Sequence, residues 1–153
     1  DCSTWKHQNE SRSKCFGITG PLDGLDLSAS SLVEDAKRGV YRALNEANLQ
    51  SLPLAIPDNA YDALICIGVL TYVPDSMAVL REFARMVRPG GMIVATQRDD
   101  LFHERAFDKT VATLAHEGIF SDTAISEPQS YLPGNPEFGD DIKVIYITLV
   151  TSG

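Results

Sequence analysis

From Tyr61 to Leu70 the chain is almost unbroken apolar (YDALICIGVL), with Pro57-Asp58-Asn59 before it and Pro74-Asp75 after. A short run of this kind, rich in Ile and Leu and closed by turn residues, predicts a strand covered on both faces and central in a parallel sheet. Past Asp75 the period changes. Val79, Leu80, Phe83, Met86 and Val87 recur at i, i+3/i+4, i+7, which predicts an amphipathic helix that Pro89-Gly90-Gly91 ends. Met92 to Thr96 (MIVAT) reads as the next strand. A helix from about His103 to Glu117 then places Phe107, Val111, Leu114 and Ala115 on one face before Gly118.

The flanks continue the alternation. GPLDGLDLS (20–28) is a short strand ending in an acidic turn, and Ser31 with Glu34 has the spacing of a capping box for a helix over about 30–38. Leu32 and Ala36 share the inner face of that helix, Lys37 and Arg38 suit the negative end of its dipole, and Gly39 stops it. A brief strand at 40–44 and then loop follow, with a helix over 37–48 as the alternative. At the other end, strands around Phe120–Ile125 and Ile142–Val150 (IKVIYITLV) flank a loop over 127–141 that holds Pro128, Pro133 and Pro136. With no helix between them these two strands can pair antiparallel. The order predicts an α/β fold, a mainly parallel doubly wound sheet closed by a C-terminal antiparallel β-hairpin.

The chain has 153 residues, enough for one core, and no apolar run approaches the roughly 20 residues that span a bilayer. A net charge of -8 repels nucleic-acid phosphates, so composition favours a small molecule or a basic protein site as partner. Cys2, Cys15 and Cys66 are odd in number, form no CxxC pair, and with the three histidines give no metal spacing. That pattern points to a reducing, cytoplasmic setting without structural zinc. Residues 1–15 are polar and without period, so they read as an irregular segment ahead of a single domain over 16–153. The first residue is Asp1 rather than Met, and the chain reads as cut at its start.

Several positions can carry chemistry. Asp26 in Gly24-Leu25-Asp26-Leu27-Ser28 closes an early strand, where a carboxylate can accept both hydroxyl hydrogens of a ribose; plain turn and cap chemistry is the other reading. In Ala47-Asn48-Leu49, a side-chain amide and a backbone N–H can meet an adenine edge, or the Asn is simply solvated. Gly68, near the end of the apolar run, removes a side chain either for a ligand or for tight packing under a helix.

In this order and spacing, GLDLS, YDALICIGVL and the helix running into Arg88-Pro89-Gly90-Gly91 resemble the class I S-adenosylmethionine-dependent methyltransferases. In detail, GPLDGLDLSASSLVEDAKRGVY, YDALICIGVLTYVP and VRPGGMIVATQR are similar to the methyltransferase-like proteins encoded in the Williams-Beuren region. The resemblance covers about residues 16–150 and implies a Rossmann-like fold with S-adenosylmethionine as cofactor. It further implies that Asp26 binds the cofactor ribose, Leu27 packs on the adenine, Asn48 and Leu49 meet the adenine edge, and Gly68 lines the methionine side. Asn48 departs from the Asp often found there.

The large departure is at the start. The family begins with a strand and a DxGxGxG loop, and nothing before Gly24 matches; Gly17-Ile18-Thr19-Gly20 is a GxxG directly ahead of a strand rather than between strand and helix. In the family that first strand lies between the second and fourth, so a sheet lacking it has two interior edges with unpaired backbone groups. Weak or absent cofactor binding by this chain is the expectation.

The reaction implied is in-line transfer of a methyl group to a small-molecule or protein acceptor, driven largely by orientation. Catalytic residues stay unassigned: Thr71, Tyr72, Arg98 and His103 follow strand ends, and His103 is either a general base or a solvated helix residue. The loop over 127–141 either shapes the substrate entrance or is a surface connection. Two rival readings are a catalytically inactive Rossmann-like binding or scaffold module, which the missing loop favours, and a nicotinamide-dependent oxidoreductase fragment, which lacks its own GxGxxG. The sequence leaves the oligomeric state open.

Overall fold

The computed structural model describes residues 20–131 and 142–153, which fall into two compact units divided between Asn48 and Leu49. The irregular segment over 1–15, the Gly17-Ile18-Thr19 stretch and most of the loop over 127–141 lie outside the described residues.

In the first unit β1 (Asp23–Asp26) leads into α1 (Ala29–Ala36) and β2 (Ala43–Glu46), and the two strands pair in parallel from Asp23↔Ala43 to Asp26↔Glu46. Three expectations are corrected here. The helix is capped by Ser28, whose hydroxyl accepts from Ser31 N at 3.3 Å, rather than by a Ser31–Glu34 box. Its inner row is Leu32 and Asp35, with Ala36 exposed, because Asp35 is drawn into an ion pair with Arg38 at 3.3 Å. The next strand runs 43–46 rather than 40–44, since Arg42 N already donates to Leu22 O and sets the parallel register two residues later; a helix over 37–48 is absent. Gly39, at φ 64°, takes the left-handed conformation expected of its stop. Among the described residues no strand precedes β1.

The second unit holds β3 (Tyr61–Cys66), a one-turn 3₁₀ segment (Leu70–Tyr72), α2 (Ser76–Met86), β4 (Val87–Arg98), α3 (Asp99–Glu104), α4 (Phe107–His116), β5 (Phe120–Ile125), β6 (Gln129–Ser130) and β7 (Lys143–Thr151). Its sheet has the order β3-β4-β7-β5, with β6 on β7. β3 and β4 are parallel, and β7 is antiparallel to both β4 and β5. Strands β3, β4 and β5 therefore point one way and β7 the other, which is the α/β architecture with one reversed strand that the pattern predicts. The core joins Cys66, Ile93, Ala95, Ile145, Ile147 and Leu149 of the sheet to Val79, Leu80 and Phe83 of α2 and Phe107, Val111 and Leu114 of α4. The helical period of α2 thus lands where it was read up to Met86, whereas Val87 opens β4.

Three boundaries differ from expectation. The strand read over Tyr61–Leu70 stops at Cys66, because Gly68 turns the chain at φ 75°, and it is an edge strand with Ile65 57% exposed rather than a central one. The helix read over 103–117 is two helices, broken where Ala106 adopts φ 47°. α2 ends at Met86, so Pro89-Gly90-Gly91 falls inside β4, where the single residue Asp62 of β3 faces the four residues 88–91 of β4.

Glycine is required in that bulge: a Cβ on Gly91 would lie 2.6 Å from Asp62 O and 2.9 Å from Arg88 O, contacts with backbone that cannot yield. The bulge is tied down by Thr151, which is 3% exposed. Its Oγ1 accepts from Gly91 N at 3.1 Å and donates to Arg88 O at 2.6 Å. Thr151→Val keeps the shape and leaves Gly91 N–H buried without an acceptor, so urea unfolding of this variant should show a loss of about 1–3 kcal/mol.

Candidate functional site

In open α/β sheets, ligands sit beyond the carboxyl ends of the strands, because neighbouring loops diverge there and expose backbone donors. In the first unit that rim carries Asp26, Leu27 and Asn48. Asp26 is the last residue of β1, and Ala47 N donates to its carbonyl at 2.9 Å, so the residues after β1 and β2 emerge side by side. The Asp26 carboxylate divides its two oxygens: Oδ1 accepts from Ser28 N at 2.7 Å, whereas Oδ2 is buried and has no partner among the described residues. The turn reading and the ligand reading of Asp26 therefore apply to different atoms. Ser28, so placed, caps α1, and the acidic turn and the helix start form one device. Leu27 is 62% exposed, an apolar side chain held in solvent at the rim, and Asn48 is exposed two residues past β2.

In the second unit, Gly68 follows β3 at the same kind of rim, and its N–H donates to Thr96 Oγ1 at 2.9 Å. Leu49 packs against the core of this unit, so its side chain is engaged in burial and its backbone is the part left for recognition. Thr71 and Tyr72 lie in the 3₁₀ turn beyond Gly68, and Arg98 ends β4, where its guanidinium forms a forked pair with Asp100. His103 is on the exposed side of α3, with Nε2 3.2 Å from Asp99 Oδ1 and its ring edge-on to Phe102. The solvated helix reading describes it.

Two residues at this rim escaped the sequence reading. Gln97, fully buried, accepts from the Thr71 hydroxyl and from Arg98 N at 3.0 Å each and donates to Leu70 O at 3.3 Å. Arg105 donates to the carbonyls of Leu70, Thr71 and Val73. The signal available for the first was a polar Thr-Gln pair closing an otherwise apolar strand. The second had none. A cleft of about 300 Å³ between the amino ends of α2 and α4 is lined by Asp75, Ser76, Met77, Arg105 and Thr110, and contains none of the predicted site residues.

Away from the rim, the buried Glu82 and the half-buried Arg85 form a lock in α2. Glu82, 7% exposed, accepts from Leu54 N at 2.7 Å and pairs with Arg85 at 2.6 Å, while Arg85 also donates to Ile56 O and pairs with Asp58. The Arg85 hydrogen bond holds the Glu82 carboxyl below the usual carboxylate range against the opposing effect of burial. Among the described residues no group of three His, Cys, Asp or Glu side chains could hold a metal ion, and no helix is long and apolar enough to cross a membrane.

The family profile described as a methyltransferase domain matches residues 13–95. The chain is 35% identical over 89 residues to the demethylmenaquinone methyltransferase of Bacillus licheniformis, an alignment covering 56% of this chain and 38% of that protein. It spans little more than a third of the length of the curated relatives it matches. These relatives differ in name from the Williams-Beuren-region proteins expected from the motifs. In structure it is similar to an S-adenosylmethionine-dependent methyltransferase from Mesorhizobium loti, with a TM-score of 0.63 at 16% identity over 91% of this chain and 84% of that one. A methyltransferase from Methanosarcina mazei superimposes with a TM-score of 0.58 at 15% identity, over 85% and 81% of the two chains.

Proposed function

This chain belongs to the methyltransferase domain family, and on that premise we propose that it contributes to S-adenosylmethionine-dependent methyl transfer onto a small-molecule acceptor in the cytoplasm. The observation that carries the reading is the orphaned Oδ2 of Asp26, a buried acceptor at the carboxyl end of a parallel strand, suited to the hydroxyl donors of a ribose. S-adenosylmethionine, when bound, supplies an electrophilic methyl group on a sulfonium. The chain's own residues bind and orient: Asp26 takes the ribose hydroxyls through Oδ2 while Oδ1 stays on Ser28 N. Leu27 covers the adenine, and Asn48 with the backbone of Leu49 meets its edge. Gly68 gives the methionine side access to backbone, consistent with its φ of 75°.

The names of the curated relatives support a small-molecule acceptor over a protein one. A narrower kinship with the Williams-Beuren-region proteins is supported only by the three segments in which their motifs recur. Family membership leaves the nicotinamide alternative without support.

Nuclear magnetic resonance separates the two surviving readings. Millimolar S-adenosylmethionine should shift the amides of Asp26, Leu27, Asn48, Leu49 and Gly68, and Asp26→Ala should weaken the titration by about tenfold or more, the scale of a lost hydrogen bond to a charged group. Shifts confined to other residues, or none at all, would leave the binding-module reading in place.

A further inference from the structure

The four residues Leu70 to Val73 are held by side chains from three separate places in the second unit. Every carbonyl of the stretch has a side-chain donor. Leu70 O accepts from Gln97 Nε2 at 3.3 Å and from Arg105 Nη1 at 3.4 Å, Thr71 O from Arg105 Nη2 at 3.2 Å, Tyr72 O from Gln50 Nε2 at 3.4 Å, and Val73 O from Arg105 Nη1 at 3.0 Å. The Thr71 hydroxyl adds a bond to Gln97 Oε1 at 3.0 Å. Leu70 is fully buried and Val73 is 4% exposed, so both ends of the turn are rooted in the core. Between them Tyr72 is thrown outward, 71% exposed.

Such fastening is more than chain reversal requires. A backbone turn is satisfied by water and by its own i→i+3 bonds, which this one has, from Tyr72 N to Val69 O and from Val73 N to Leu70 O. Arg105 places its planar fork on three carbonyls. Ala106 beside it takes a left-handed conformation at φ 47°, which a non-glycine residue keeps only where the surroundings impose it. A rigid backbone carrying one exposed aromatic ring loses little entropy when a flat ligand settles on it.

The geometry points to Arg105 and Gln97 as positioning residues that hold the turn Leu70–Val73 as a preformed wall of the acceptor site, with Tyr72 as the side chain that meets an aromatic acceptor. The inference deepens the methyltransferase reading, since it places the acceptor at the rim that carries Gly68.

The test uses the full 153-residue chain and 1-naphthol as an uncharged aromatic hydroxyl probe, followed by amide shifts and by hydrogen exchange. 1-Naphthol should shift the amides of Thr71 and Tyr72. Tyr72→Ala should raise its dissociation constant about fivefold, the scale of one aromatic contact, and Tyr72→Phe should restore it. Arg105→Ala should speed exchange at Tyr72 and Val73 about tenfold or more and weaken the probe as Tyr72→Ala does. Arg105→Lys, with one compact ammonium in place of a fork, should fall between. Undiminished binding by Tyr72→Ala, or unchanged exchange in both Arg105 variants, would overturn the inference. Should Arg105→Ala not fold, Arg105→Lys and the Tyr72 pair decide. None of these readouts needs S-adenosylmethionine, so a chain without chemical-shift changes at the cofactor residues counts against the proposed cofactor site only, while the wall stands or falls on 1-naphthol binding and the exchange rates.

Discussion

Titrated calorimetrically with S-adenosylmethionine, the 153-residue chain should bind with a dissociation constant well above the micromolar range. On the proposed assignment Asp26, Asn48 and Gly68 would supply a few polar contacts, but no DxGxGxG occurs in these 153 residues to bring backbone donors against the cofactor. Three such bonds at about 1 kcal/mol each correspond to about a hundredfold in affinity. The exposed Leu27 offers partial compensation, because covering its side chain returns at most about 1.5–3 kcal/mol. Micromolar binding by these residues alone would refute the weak-binding expectation and show that the rim residues suffice.

The second large effect concerns stability rather than chemistry. Replacing Glu82 by Ala should cost about 3–5 kcal/mol in urea unfolding, because it strands Leu54 N–H and removes the buried partner of Arg85. Arg85 keeps 28% of its side chain in solvent and a second partner in Asp58, which places the loss toward the lower end. Glu82→Gln should cost less, since the amide oxygen can still accept from Leu54 N. The pH dependence separates charge from packing. With its folded pKa depressed, Glu82 contributes stability that is complete above the unfolded value of about 4.3 and is lost as pH falls through the folded value. The wild-type advantage over Glu82→Gln should therefore be full at pH 7 and shrink progressively below about pH 4.3. An advantage that stays constant to pH 3 would show that the lock works by shape and not by charge.

The lock and the rim divide the labour of the second unit. Glu82 and Arg85 fasten the proline-containing stretch around Leu54–Asp58 onto α2, the helix that also builds the core with Val79, Leu80 and Phe83. The same stretch delivers the chain to β3, and β3 ends two residues before Gly68. An acid-labile contact far from the rim thus bears on where the rim residues stand.

What the sequence by itself determined was whatever depends on near neighbours in the chain. The i, i+3/i+4 row of α2, the bounds of β5 at Phe120 and Ile125, the stop at Gly39, the reversal that makes β7 antiparallel and the acidic end of β1 were all legible, because period and turn chemistry are local. Tertiary structure decided the rest. An all-apolar run such as 61–70 looks the same whether a strand is central or at an edge, and only the sheet order makes β3 an edge strand. A helical pattern over 103–117 gives no sign of a break. The break sits at Arg105–Ala106, beside the guanidinium that reaches carbonyls 32 to 35 residues earlier in the chain. Likewise the cap fell to Ser28 rather than Ser31 where the carboxylate of Asp26 holds Ser28 N, and the polar Gln97 could be buried because the turn at 70–71 satisfies it. Side-chain bonds to distant backbone leave no period behind them, which is why the wall at Leu70–Val73 and the free oxygen of Asp26 became visible only in the folded chain.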